Sequence, residues 1–137
     1  MTATALINID VGDLERAVAF YTAALGLKVG RKLGPSAVEL LGAGSPIYLL
    51  EKAAGSPAGP ATDERRRYGR HWTPVHLDFV VADVEAAVER TVGAGASLEV
   101  PTATHAWGRI AQLADPFGHG LCLIEFIGRG YDEIATA

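Results

Sequence analysis

The chain has 137 residues, of which 49% are hydrophobic, 20% are charged and only one is cysteine. This length allows one domain, or two small halves with a shared core, to bury most of its apolar surface. One cysteine cannot form an intramolecular disulfide, and no Cys/His group has zinc-finger spacing, which excludes disulfide-rich and structural zinc modules. A formal net charge of −4 gives no general attraction to phosphate backbones or anionic lipids, so we expect no nucleic-acid partner.

The sequence also argues against a membrane or secreted protein. No apolar run approaches the roughly 18 residues needed to cross a bilayer. Residues 1–9 lack the basic start and the long apolar core of a signal peptide. The low cysteine content is typical of a reducing compartment. We therefore expect a cytoplasmic protein with no membrane partner.

The first half of the sequence predicts a strand, a helix and three further strands. Residues 6–11 alternate so that Ile7, Ile9 and Val11 share one face. Asp13 is a typical helix N-cap, an apolar stripe follows it at three- and four-residue spacing, and Gly26 ends the helix. Glycine-rich turns separate the next three predicted strands, which are residues 27–32, 37–41 and 46–51.

The second half repeats this order. It predicts a strand over 76–81, an N-cap at Asp83, a helix over 84–92, and strands over 98–101, 109–113 and 121–126. The sequence thus divides into a first module (1–52), a linker loop (53–74), a second module (75–127) and a C-terminal tail (128–137), all in one structural domain. A four-stranded sheet covered on one face leaves the other exposed, so we expect the modules to share a concave core.

Several motifs resemble the vicinal oxygen chelate superfamily, which includes glyoxalase I, extradiol dioxygenases and bleomycin resistance proteins. They are Val11-x-Asp13-Leu14, Ala19-Phe20-Tyr21 and Leu25-Gly26-Leu27, then the His76 strand, Asp83-Val84 and Asp115-Pro116-Phe117-Gly118-His119. The resemblance implies an α+β fold in which two βαβββ modules form a cup-shaped, eight-stranded mixed sheet, usually completed in a dimer. It does not fix the function, because this scaffold carries unrelated chemistries.

Metalloenzymes of this superfamily place four metal ligands in the cup, one from the first and one from the last strand of each module. Transferred by position, these sites fall on Leu6, Tyr48, His76 and Cys122. Only His76 is a conventional ligand, because leucine has no donor atom, a neutral phenol binds poorly and cysteine replaces the expected carboxylate. Glu125 becomes a ligand beside His76 only if a bulge turns it to the inner face. We expect no cofactor, with a divalent metal at His76 and Glu125 as the alternative.

Other polar and aromatic residues fall on the predicted inner faces. His76 and Asp78 share one strand face, so His76 can act as a general base or ligand anchor oriented by Asp78, or both can belong to a polar core or dimer contact. Cys122 is either a small buried apolar residue or a nucleophile. For the aromatic residues, core packing competes with ligand contact. The predicted ligand-binding set is Asn8, Asp10, Tyr48, His76, Asp78, Trp107, Phe117 and Cys122.

The loop over residues 65–72 holds four of the twelve basic residues, together with Tyr68 and Trp72. Such a loop can contact an anionic or aromatic ligand through its arginines and rings. The acidic residues Asp63 and Glu64 precede it and favour a solvated loop or a subunit contact. Both interpretations remain open from the sequence.

Three functions remain open. The first is a homodimeric protein that binds a small apolar or aromatic molecule in its cup without the usual metal, and the missing ligands favour it. The second is a metal-dependent lyase or dioxygenase that uses an atypical site around His76 with Glu125, Glu51 or Asp78. If the protein is an enzyme, His76 and Asp78 are the candidate catalytic residues. The third is a structural or regulatory dimer with an empty cup.

Overall fold

The computed structural model describes residues 2–137. The predicted order of strands and helices is confirmed, and a short 3₁₀ helix, Gly130–Glu133, is added in the tail. None of the helices in this part of the chain is long and apolar enough to span a membrane. The elements are β1 (Ile7–Val11), α1 (Leu14–Leu25), β2 (Lys28–Lys32), β3 (Ala37–Leu41), β4 (Ile47–Glu51), β5 (Leu77–Val80), α2 (Val84–Gly93), β6 (Ser97–Thr104), β7 (Gly108–Ala114) and β8 (Gly120–Phe126).

The chain divides into two compact units, the first ending at Gly69 and the second beginning at Arg70. The division falls inside the predicted linker loop, residues 53–74. Residues 53–69 therefore belong with the first βαβββ module, and the last part of the loop belongs with the second. Each unit has its own helix and its own sheet.

Each module forms a four-stranded mixed sheet, so the eight predicted strands are arranged as two sheets of four. The strand orders are β1-β4-β3-β2 and β5-β8-β7-β6. In both sheets the first strand pairs in parallel with the last, and the remaining pairs are antiparallel. This pairing sets Asn8 opposite Tyr48 in the first sheet and Asp78 opposite Cys122 in the second. Residues of the first and last strand of each module therefore lie side by side.

Both helices begin at the predicted aspartate. The side chain of Asp13 accepts a hydrogen bond from the backbone N–H of Arg16 at 3.0 Å, and that of Asp83 accepts one from Ala86 at 3.1 Å. These bonds satisfy backbone donors that have no partner inside a helix. Gly26 ends α1 with a φ of 67°, a conformation that costs glycine little because it has no Cβ.

Each helix packs on one face of its own sheet, and the apolar core of each unit lies between its helix and its sheet. Ile47 and Leu49 of β4 are fully buried, as is Leu123 of β8. Because successive strand residues point to opposite faces, the residues between them face away from the helix. We call this surface the helix-free face. It carries Asn8, Asp10, Glu39 and Tyr48 in the first sheet, and Asp78, Gln112, Cys122 and Ile124 in the second.

Candidate functional site

The helix-free face of the first sheet carries a closed polar cluster around Glu39. The Arg31 guanidinium donates to both carboxylate oxygens of Glu39, at 3.0 and 2.6 Å, and the Tyr48 hydroxyl donates to Glu39 at 2.9 Å. These hydrogen bonds lower the pKa of Glu39 to about 2, although the residue is only 5% exposed. The predicted residue Tyr48 is therefore engaged within the protein. Arg31 and Glu39 are not among the predicted site residues, and the available signal was a glutamate inside the apolar strand Ala37–Leu41.

Asn8 lies beside Tyr48 on this face and is exposed, as a ligand-contacting residue must be. Asp10 has another role from the one predicted. Its carboxylate accepts a hydrogen bond from Arg66 Nε at 2.6 Å, and Arg66 also donates to the carbonyl oxygens of Pro57 and Ala58. Asp10 thus fixes the loop that follows β4 through a charged pair, which takes up its carboxylate.

The helix-free face of the second sheet brings His76, Asp78 and Cys122 together. The distance from His76 Nε2 to Asp78 Oδ1 is 3.3 Å, and one possible metal-ligand atom from each of the three residues lies within 4.8 Å of the others. His76 comes directly before β5 rather than within it. The side chains of His76 and Asp78 are about one-third exposed, at 36% and 38%. This is the place in the described chain where three predicted site residues meet.

The thiol of Cys122 is held in its neutral form. Burial and the neighbouring Asp78 carboxylate, which accepts its hydrogen bond, raise the pKa of Cys122 to about 12. The residue is only 2% exposed. At neutral pH the sulfur is therefore a thiol rather than the thiolate that a nucleophilic cysteine needs.

The ring of Trp72 covers His76. The two rings are stacked, with centroids 4.4 Å apart and planes inclined by 13°. The Arg70 guanidinium carbon lies 5.3 Å from the centre of Trp72, and Glu99 binds Arg70 through two charge-assisted hydrogen bonds. A Cβ at Gly120 would overlap Trp72. Trp72 was predicted to lie in a loop that contacts a ligand, solvent or another subunit. The glycine at position 120, which leaves room for the ring, was the available signal.

Glu125, the alternative metal ligand, lies on the helix-covered face of the second sheet, opposite to the face that carries Asp78 and Cys122. Its carboxylate accepts a hydrogen bond from the backbone N–H of Val84, the first residue of α2, at 2.9 Å. The β5–β8 and β7–β8 registers are regular, so no bulge turns Glu125 toward His76. Glu51 has the equivalent place in the first module, where it accepts from Leu14 at 2.8 Å. Both residues bind helix ends, which corrects their assignment to a metal site.

The two predicted aromatic residues of the second module are also engaged elsewhere. Trp107 stacks on His105, with centroids 5.3 Å apart, and contacts Phe126 and Tyr131. This aromatic group packs the 3₁₀ helix of the tail against the end of β8. Phe117 lies in the β7–β8 turn and is only 5% exposed. Both residues pack within the protein, as one of the two interpretations of the sequence expected, and their contact with a ligand stays a prediction.

The metal site that the resemblance implies does not fit these residues. Leu6 offers no donor atom, and the Tyr48 hydroxyl is bound to the ionised Glu39 carboxylate. His76 would supply one imidazole, and the sulfur of Cys122 is a protonated thiol. A divalent cation in a protein needs about three oxygen, nitrogen or thiolate ligands. The four transferred positions therefore cannot form the family's site with two ligands from each module.

A separate cleft of about 680 Å³ lies on the helix side of the first sheet. Its walls are mainly apolar and include Leu14, Val18 and Val29, with Lys32 and Glu15 as charged members. The volume is in the range of small-molecule sites. The predicted ligand-binding residues do not line this cleft, although the candidate metal ligand Glu51 does. Experiment therefore has to separate binding in this cleft from binding on the helix-free face.

The model of the glyoxalase-like domain matches residues 6–124. The chain belongs to this family. The predicted membership of the vicinal oxygen chelate superfamily is thereby confirmed, since a solved glyoxalase-related enzyme from Fulvimarina pelagi also has the same fold, with a TM-score of 0.72. That enzyme is 21% identical, and the match covers 91% of this chain and 88% of that chain.

Two curated relatives are more similar in sequence. An uncharacterized protein of Mycobacterium bovis, Mb0911c, is 30% identical over 95% of this chain and 88% of its own length. The anthracycline biosynthesis protein DnrV of Streptomyces peucetius is 33% identical over 85% of this chain and 38% of its own length. The chain is thus a glyoxalase-like protein, and its function within this family has to be inferred from its site residues.

Proposed function

We propose that the protein binds a small apolar or aromatic molecule on the helix-free face of its sheets, without the four-ligand metal site of its metalloenzyme relatives. The observation that carries the proposal is the state of the first module. Leu6 has no donor atom, and Tyr48 is bound to Glu39. A module that contributes no ligand leaves the family's metal site without half of its donors.

The surface chemistry of the first module supports a largely apolar ligand. Leu6 is 58% exposed. Asn8 and the outer part of Arg31 offer a few polar groups, and the Arg31 side chain is 70% exposed while its guanidinium remains fixed by Glu39. Apolar surface with a small number of fixed polar groups is the usual composition of a small-molecule site.

The ligand class has support from one relative. DnrV is named as a protein of anthracycline biosynthesis, and anthracyclines are planar aromatic molecules with polar substituents. We therefore propose a planar aromatic ligand. We further propose that the protein works as a cytoplasmic homodimer that needs no cofactor, in agreement with its acidic composition and its single, buried cysteine.

The test is ligand-induced stabilisation followed by calorimetry. An anthracycline and an aliphatic compound of similar size are titrated into the full chain, with and without a chelator. At about 100-fold excess over Kd, a ligand stabilises the folded state by about 2.7 kcal/mol, which thermal unfolding detects readily. We expect the anthracycline to bind in the presence of the chelator and to be recovered unchanged. Metal-dependent turnover would contradict the proposal.

Two variants locate the binding surface. Asn8→Leu changes an exposed residue of the helix-free face and is expected to weaken anthracycline binding by about tenfold, since one oriented hydrogen-bonding group is lost. Val29→Glu changes the wall of the separate cleft and is expected to leave binding unchanged. The opposite pattern would show that the ligand occupies the cleft.

A second function is favoured by one specific observation, the proximity of His76, Asp78 and Cys122. It is the metal-dependent lyase or dioxygenase with an atypical site around His76. The variant His76→Ala separates the two functions. An enzyme would lose turnover by orders of magnitude, whereas a binding protein would retain most of its affinity.

A further inference from the structure

We propose that His76, Asp78 and Cys122 form a zinc-binding site within the second module alone. The resemblance implies a site with two ligands from each module and gives Asp78 no part in it. The proposed site takes Asp78 from β5, Cys122 from β8, and His76 from the position directly before β5. It does not depend on the small-molecule function proposed above.

The sheet register brings the three ligands together. Asp78 and Cys122 are direct partners in the parallel pair of β5 and β8, and His76 lies two residues before Asp78. His76 Nε2 is 3.3 Å from Asp78 Oδ1, and all three possible ligand atoms lie within 4.8 Å of one another. Zinc bonds of roughly 2.0–2.3 Å place tetrahedral ligand atoms about 3.3–3.8 Å apart. Small side-chain movements are enough to bring the sulfur into this range.

The donor set selects the metal. One imidazole nitrogen, one carboxylate oxygen and one sulfur suit zinc, whereas magnesium and calcium require oxygen donors. Three protein ligands leave the fourth tetrahedral position for water or another small molecule. The one-third exposure of His76 and Asp78 gives the ion a path to the site.

The stack above the site fixes the imidazole. Trp72 lies flat on His76, Arg70 lies over Trp72, and Glu99 binds the Arg70 guanidinium. A ring held on one face loses less conformational freedom when it binds a metal. We therefore assign Trp72 as a positioning residue for His76, acting by contact with the ring rather than with the metal.

Zinc binding must release one proton from the sulfur. A metal-bound cysteine is a thiolate, so the S–H proton passes to solvent as the S–Zn bond forms. Zinc affinity is consequently expected to rise with pH. Calorimetry in two buffers with different ionisation enthalpies counts the released proton.

The experiment uses cobalt(II) and zinc on the full chain, with no organic ligand present. Cobalt bound to a thiolate gives a charge-transfer band in the near ultraviolet, and Cys122 is the only cysteine that can produce it. We expect the band to develop at one cobalt per chain and to disappear when zinc is added. It should be absent in Cys122→Ser, and zinc affinity should fall at least about a hundredfold in His76→Ala and Asp78→Asn.

Matched controls use residues of the same types outside the cluster. His105→Ala removes a histidine that stacks on Trp107, and Asp132→Asn removes a carboxylate of the tail. Both are expected to bind zinc as the unmodified chain does. In Trp107→Phe, where Trp72 is the remaining tryptophan, the fluorescence of Trp72 should change in step with the zinc titration.

Two results would overturn the site. One is the absence of a cobalt–thiolate band at saturating metal. The other is equal zinc affinity in the unmodified chain and in Cys122→Ser, which would mean an adventitious ion at other histidines. Circular dichroism confirms that each variant is folded, and Trp72→Phe provides a milder test, with an expected loss of affinity of about tenfold.

Discussion

Glu51 and Glu125 make the same contact in the two modules: each carboxylate accepts a hydrogen bond from the first backbone N–H of the helix in its own module, at 2.8 and 2.9 Å. Each residue ends or nearly ends the last strand of its module. A negative charge at a helix N-terminus also interacts favourably with the helix dipole. The contact ties the last strand to the start of the helix twice in one chain.

The first prediction concerns these helix contacts. Glu125→Ala should lower the free energy of unfolding by about 1 kcal/mol, because it leaves a backbone donor without its partner and removes a charge that favours the helix start. Glu51→Ala should cost less, since that contact is more exposed. Urea unfolding measures both changes. As a control, Glu89→Ala removes an exposed carboxylate in the same helix and should change stability little.

The second prediction concerns Cys122. Because its pKa is raised to about 12, the thiolate is about a thousandfold scarcer below pH 9 than for an ordinary thiol. A disulfide reagent should therefore modify the folded protein at least about a hundredfold more slowly than the protein unfolded in urea, and the rate should rise with pH. Burial is the main cause of the raised pKa and the Asp78 carboxylate adds to it, so Asp78→Asn should lower the pKa in part and speed the reaction. Equal rates in folded and unfolded protein would contradict the assignment.

The raised pKa of Cys122 also determines how this residue affects the stability of the folded protein at alkaline pH. In the unfolded chain the thiol ionises near pH 9, whereas in the folded protein it stays neutral until about pH 12. The unfolded state therefore loses its proton first, and this group makes the folded protein less stable as the pH rises from about 9 to 12. Cys122→Ala should flatten the fall in that interval, which urea unfolding at several alkaline pH values would reveal.

The third prediction concerns acid stability and Glu39. Its pKa is lowered from 4.5 to about 2 by Arg31 and Tyr48, so the charged form stabilises the folded protein above pH 4.5. That contribution should be lost as the pH falls from about 4.5 to 2. Glu39→Gln should be less stable at pH 7 and approach the unmodified chain near pH 2. A constant difference across this interval would show that ionisation of Glu39 is not the cause.

The fourth prediction concerns the space beneath Trp72. A Cβ at Gly120 would overlap the Trp72 ring and come within 2.6 Å of Arg70 Nη1. Gly120→Ala should therefore destabilise the protein by about 1–3 kcal/mol and displace Trp72 from His76. Thermal unfolding and tryptophan fluorescence measure the two effects.

A matched control and a double variant test the cause. A Cβ at Gly93, near the end of α2, meets nothing within 4 Å, so Gly93→Ala should be neutral or slightly stabilising. In a Trp72→Ala background, Gly120→Ala should cost much less than it does alone. An undiminished cost would mean that the strand itself, rather than the ring, requires glycine.

Most of the fold could be predicted because it depends on local pattern. The N-caps Asp13 and Asp83, the alternation in β1 and the repeat of the two halves are all properties of short windows of sequence.

The site was predicted only in part because its remaining contacts depend on the path of the chain. Trp72 reaches His76 because residues 70–75 fold back over the second sheet, and no period in the sequence encodes that path. Arg31 meets Glu39 across an irregular β2–β3 register. Trp107 was assigned to a ligand surface, but Tyr131 of the tail, which had no predicted structure, gives it a packing partner.

The separate sheets have a consequence for how such a chain diverges. Each sheet draws all its strands from one module, so its backbone ladder does not depend on side chains of the other half. Substitutions on one helix-free face are therefore free to accumulate without loss of pairing in the other sheet. In this chain the first half carries an arginine–glutamate–tyrosine network on its helix-free face, and the second half carries an imidazole, a carboxylate and a thiol. The two halves thus share one scaffold, including the glutamate contact at the start of each helix, but differ in the chemistry of their helix-free faces.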